Sequence, residues 1–177
     1  IDLYMDQVTT FMESHMASSK RYDEDKVLTK TMINNYAKNH LLPAPVKKKY
    51  SKEHILMLTF IYYFKSILSI NDIQTLLDPI AEHFFPGDGS ISLTEVYEEI
   101  MRLELEQIEP FKKDITKKFG QACDAFSQAD ETEKEFLRQF AFICMLSFDV
   151  YVKKQVIENL IDQMPKPENS KDGKKKS

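Results

Sequence analysis

Five polar side chains, Lys30, Thr31, Asn34, Asn35 and Lys38, recur at three- and four-residue spacings through the stretch "KTMINNYAKNH". At 100° per residue they share one helical face, while Ile33, Tyr36, Ala37 and His40 share the opposite face and are expected to pack inward. The polar face holds two cations and two amides and no acid. Asparagine can bond the N6/N7 edge of adenine in two places, and lysine suits guanine or phosphate. Just downstream, Lys47, Lys48, Lys49 and Tyr50 follow two prolines, in a turn whose ammoniums and phenol suit phosphate oxygens. An ordinary solvated face beside a lysine-rich loop is the plain alternative. The adjoining cluster and the scarcity of acids favour a nucleic-acid-binding edge.

Charge along the chain supports that choice. Residues 26–65 carry eight lysines against the single acid Glu53, whereas residues 71–164 carry 9 basic and 19 acidic side chains. A cationic module therefore precedes an acidic one, beneath a formal net charge of −4. Local positive surface, not global pI, is what a phosphate backbone meets.

Other chemistries find little support. "GDGSISLTE" imitates the second half of a calcium-binding loop, with Asp88, Gly89 and Glu95 in register, but Phe84 and Pro86 fall where carboxylates are required. Ser92 and Glu95 are better read as a capping box. The histidines His15, His40, His54 and His83 are dispersed, and neither a zinc motif, a phosphate loop nor a nucleophile elbow occurs. No enzyme, metal or cofactor is expected. Cys123 and Cys144 read as reduced core thiols of a cytoplasmic protein, and the longest apolar run, Ile55–Phe64, is too short to span a bilayer.

The elements that must position these residues read as helices, since glycine is scarce and Lys, Glu, Leu, Ile and Met abound. A first helix is expected over Asp6–Met16, with Val8, Phe11, Met12 and His15 inward. The polar "ASSKRYDEDK" follows, and then a helix capped by Thr29 and running to about His40, where "LLPAP" stops it. A short hairpin is the sole strand signal, near Pro43–Tyr50. Ser51 opens a third helix to about Leu68, and Ser69 caps a fourth in which Pro79 is a candidate interruption. Beyond Ser92 a long helix bent at Pro110 is expected, and then one over Thr132–Met164, apolar around much of its circumference and so expected to be buried on several sides. The class is all-α. The division expected is 1–80, 81–164 and a disordered basic tail, 165–177.

The order "MINNYAKNHLLPAP … KKKYSKEHILMLTF … SINDIQTLL" resembles the MerR-type winged helix-turn-helix: Ile33 and Tyr36, Leu41-Leu42-Pro43, Lys48 and Tyr50, Ile55 and Leu58, then Ser69-Ile70 with Ile73, Leu76 and Leu77. From Leu3 to about Leu160 the chain also resembles a bacterial family known as domain of unknown function 1836. These resemblances imply a DNA-binding regulator, with duplex DNA as partner. Asn34 stands where the MerR pattern has arginine, no glycine precedes Tyr50, and the ten-residue loop exceeds the usual three- to four-residue turn. A homodimer through the C-terminal helices is expected, because one short helix reads too few bases. Two other readings stand beside this one: a helical module whose basic patch docks an acidic protein, and a C-terminal half that takes a small apolar effector.

Overall fold

The computed structural model describes residues 2–166. The chain is mostly helical, and its described residues fall into two compact units, residues 2–97 together with residues 163–166, and residues 98–162. The first unit therefore extends past the boundary expected at residue 80. Of the basic tail expected over 165–177, all beyond Lys166 lies outside the described residues.

The first unit opens with a two-residue strand, β1 (Leu3–Tyr4), leading directly into α1 (Met5–Met16). The Gln7 side chain reaches back to accept from the Tyr4 N–H at 2.8 Å, satisfying a donor at the helix start. Val8 and Met12 are buried, but Phe11 and His15 stack on each other at the surface and do not complete the inward stripe. The connection over residues 17–29 begins with a 3-10 turn and is tied down by one carboxylate. Glu13 accepts from Lys20 Nζ (2.6 Å) and from the Val27 N–H (3.1 Å), which holds its carboxyl below the usual range. Lys65 Nζ donates to the Val27 carbonyl from the other side at 2.9 Å, and burial lowers its pKa.

Helix α2 (Lys30–Lys38) starts where Thr29 Oγ1 accepts from the Met32 N–H at 3.2 Å. It ends two residues earlier than expected. Asn39 is the C-cap and His40 takes φ +60°, with the His40 N–H on the Ala37 carbonyl and the Leu41 N–H on the Tyr36 carbonyl. That pair of bonds is the Schellman arrangement, which turns His40 out to solvent instead of inward. Strand β2 (Lys49–Tyr50) then pairs antiparallel with β1, Leu3 opposite Tyr50 and Tyr4 opposite Lys49.

Helix α3 (Lys52–Phe64) is the hub of this unit, with Leu56, Met57, Leu58 and Ile61 buried. It stops at Phe64, short of Leu68. Helix α4 (Ile70–His83) has Ser69 as its cap and runs straight through Pro79. Ile73 and Leu77 from α4, Ile33 and Tyr36 from α2, and Leu41, Leu42 and Tyr50 complete the core. Helix α5 (Leu93–Glu106) is opened by the Ser92–Glu95 capping box, each reaching the other's backbone N–H. Its first turn belongs to this unit, with Leu93 buried and Tyr97 edge-on to Phe60 at 5.7 Å.

In the second unit the single bent helix expected around Pro110 is two helices, α5 and α6 (Ile108–Asp124), separated at Gln107. Pro110 has no N–H for the Glu106 carbonyl, so α5 ends there, and proline is tolerated in the first turn of α6. Helix α7 (Glu131–Asp162) folds back along α6. Phe111 meets Lys153, Lys118 meets Asp149, and Phe119 meets Phe142, a falling order that fixes the pair as antiparallel. The burial expected on several sides of α7 is absent among the described residues of the single chain: Phe136, Phe140, Ile143, Phe148, Val156 and Leu160 are all exposed, and Cys144, expected in the core, is exposed with them.

Candidate nucleic-acid interface

All five polar residues singled out on α2 face solvent: Lys30, Thr31, Asn34, Asn35 and Lys38. Ile33 and Tyr36 hold the opposite side in the core, so burial of that side fixes which face is presented. Lys38 has no ion pair among the described residues, whereas Lys30 pairs with Asp6 at the start of α1. Nothing in the α2 sequence reveals that acid. It comes from a different helix.

The lysine turn is tighter than a loop. The Val46 N–H bonds the Lys49 carbonyl (3.1 Å) and the Lys49 N–H bonds the Val46 carbonyl (2.9 Å), closing a two-residue hairpin. Lys47 and Lys48 occupy its two central positions with φ +51° and +64°. Positive φ at both central residues is the signature of a type I′ turn, which prefers Asn-Gly. A side chain with a Cβ costs about 1–2 kcal/mol at such a position. The turn therefore carries strain that Asn-Gly would relieve, and it projects two ammoniums into solvent. Lys49, also exposed, places Nζ 5.5 Å from the centre of the Tyr4 ring. Tyr50 departs from its companions. It is 3% exposed, its ring lies edge-on to His54 at 5.3 Å, and it anchors the hairpin instead of offering its phenol to the surface beside the lysines.

Two contacts tie these elements together. Lys30 reaches Asp6, and Lys49 lies over Tyr4, only two residues earlier in the chain. The N-terminus of α2 and the hairpin therefore converge on the edge formed by β1 and the first turn of α1. Lysines of the hairpin and of α2 thus flank one edge, on which Asp6 is an acid already paired with Lys30. Tyr4 and Asp6 are the participants missed by the sequence reading, because a two-residue strand pairing over more than forty residues leaves no local pattern.

His54 positions the hairpin from beneath. It is 2% exposed, and its Nδ1 accepts from the Ser51 N–H at 2.9 Å as the acidic half of a capping box would. The proton therefore sits on Nε2, which has no hydrogen-bond partner among the described residues, while the Pro43 and Ala44 carbonyls favour the protonated ring. Tyr50 and Phe85 close over the ring. Burial lowers the His54 pKa, with those two carbonyls and Glu53 pulling the other way. In the unfolded chain the imidazole takes a proton near pH 6.5, and in the fold it stays neutral to lower pH. The unfolded state then binds more protons, so the stability due to neutral His54 is complete above about pH 6.5 and declines as pH falls through it. Denaturant titrations from pH 7.5 to 5 are expected to show stability falling by at most about 1.4 kcal/mol per pH unit, the limit for one proton. His54→Gln keeps a capping group and is expected to flatten the slope.

Among the described residues no three histidines, cysteines or acids are grouped to hold a metal, and no helix is long and apolar enough to cross a membrane. In the second unit a half-open depression of about 610 Å³ lies between α6 and α7, where Phe119 and Phe142 are rimmed by Lys134 and Arg138 and by Glu131 and Glu135.

The molecule is thus a mostly helical protein whose first unit presents a cationic, amide-bearing helix face beside a lysine-tipped hairpin. The chain belongs to the DUF1836 family, a domain of unknown function, whose model matches residues 1–100. The match ends close to the boundary between the units at residue 97, so the likeness expected as far as about Leu160 extends only to residue 100 in that match. No curated protein and no solved structure matches the chain.

Proposed function

We propose that the first unit binds duplex DNA as a winged helix-turn-helix of MerR-like character, with α2 in the major groove and the Val46–Lys49 hairpin on the flanking phosphates. The protein then acts as a cytoplasmic transcriptional regulator, without catalysis and without a cofactor. The observation that carries this reading is the pair of left-handed lysines. A turn that favours Asn-Gly for stability retains two cations instead, next to a helix face that has no acid of its own, and strain kept at a surface points to a use for the groups it displays. The connection over residues 17–29 is longer than a helix-turn-helix turn, yet α1 still meets α2 through the Asp6–Lys30 pair.

That same ion pair favours a second reading, an acidic protein as the partner, because the first cation of α2 already accepts a carboxylate. A salt series on random-sequence duplex tests the proposal. Neutralising about four to six phosphates gives a log K against log[salt] slope of roughly −4 to −5. Asp6→Asn frees Lys30 and is expected to raise affinity a few-fold and steepen the slope by up to about 0.9. No measurable duplex binding at low salt, by wild type or Asp6→Asn, would overturn it in favour of the protein partner.

A further inference from the structure

We propose that the outward face of α7 pairs antiparallel with the same face of a second copy of this chain, making the second unit half of a four-helix bundle. Sixteen residues, Phe136 to Tyr151, contain only two charges, Arg138 and Asp149. Both are engaged on the α6 side: Arg138 Nε donates to the Ala125 carbonyl at 3.3 Å, and Asp149 accepts from Lys118 at 2.5 Å. Leu137, Ala141 and Met145 are half-buried on that same side, and Phe142 meets Phe119 edge-on at 5.4 Å. The face turned away from α6 therefore bears no charged side chain through four turns.

That face carries Phe136, Phe140, Ile143, Phe148, Val150 and Tyr151, each between 51% and 65% exposed. Together they expose roughly 600–700 Å², taking about 150–250 Å² for each aromatic side chain. The largest apolar patch of a typical monomer is about 300–600 Å², and a stable dimer buries about 800 Å² per partner. The area fits a protein interface, and an uncharged surface can face itself without repulsion, as a two-fold contact requires. At the centre of the segment the order of side-chain sizes selects the direction. Pairing the segment antiparallel about its midpoint sets Phe140 against Ser147, Phe136 against Tyr151, and Ile143 against Cys144. Parallel pairing would stack Phe on Phe and leave Ser147 opposite Ser147. Two antiparallel hairpins joined in this way form a bundle core of the ordinary kind. The inference sharpens the expected C-terminal dimer to one face and one register, and it stands whether or not the first unit binds DNA.

The test uses the whole chain. Sedimentation equilibrium at tens of micromolar is expected to give twice the 20.7 kDa chain mass. Phe140→Asp with Ile143→Asp is expected to weaken association by at least about a hundredfold, since each charge would be buried unpaired, while helical circular dichroism is retained. A short bis-maleimide, adding one thiol across each ring double bond, is expected to join two chains in the wild type and in Cys123→Ser but not in Cys144→Ser. The cross-link stands as an independent measurement if the charged variant fails to fold. A wild type that remains monomeric, with or without binding to neutral vesicles, would overturn the proposal. So would a dimer that neither cross-links through Cys144 nor responds to the charged pair.

Discussion

Replacing Lys47 with Asn, Lys48 with Gly and Lys49 with Thr is expected to lower duplex affinity by about 10²–10³-fold at 0.1 M salt, and to make the log–log salt slope less steep by up to about 2.7. Each lysine that touches a phosphate releases about 0.9 of a counterion, and three are removed. The loss is expected to be equal on every sequence, because phosphate contacts carry no base information. Alanine at these positions would be a poorer test, since Lys47 and Lys48 sit at positive φ and alanine would keep the strain. Asn-Gly is the pair that a type I′ turn prefers, and threonine suits a strand. The triple variant is therefore expected to be as stable as the parent or more stable by about 1–2 kcal/mol. Binding and stability should move in opposite directions, which a merely damaged protein cannot reproduce. An unchanged salt slope would remove the hairpin from the interface.

The parts of the fold legible in the sequence are those governed by local chemistry. Thr29, Ser51, Ser69 and Ser92 all precede helices, because a cap is decided within four residues. The exposed face of α2 was legible from periodicity alone, since Ile33 and Tyr36 leave only one face for Lys30, Asn34 and Lys38. What was not legible depends on distant partners or on backbone geometry. The β1–β2 pairing joins residues 3–4 to 49–50, too short and too remote to leave an alternating pattern. Pairing buries Tyr50, so a tyrosine that reads as a phosphate partner becomes a core residue. His40 reads as inward by angle, yet the helix ends before it and its own left-handed backbone, just past the C-cap, turns it out. Along α7 the sequence specifies apolar faces without saying what covers them, and among the described residues of the single chain nothing covers the face opposite α6.

Asn34→Ala is expected to reduce binding to a selected operator by about 5–150-fold, equivalent to about 1–3 kcal/mol, with less than about a twofold change on a scrambled duplex. Lys30, Asn34 and Lys38 lie at i, i+4 and i+8 on the exposed face of α2. The two lysines are about 12 Å apart along the axis, close to the width of the major groove. If they reach the two phosphate walls, Asn34 lies midway, where base edges are, and adenine offers its amide both an acceptor and a donor. Asn35 lies one ridge away beside Thr31, so Asn35→Ala is expected to cost less than Asn34→Ala. Neither change should unsettle the fold, since both positions are exposed and alanine is the better helix former. The measurement is titration of both variants against operators selected from a random pool and against scrambled controls, with circular dichroism recorded on each variant. Equal losses on the two duplexes would assign the asparagines to the backbone. Full affinity on both would take α2 out of the groove and leave its basic face to an acidic protein partner.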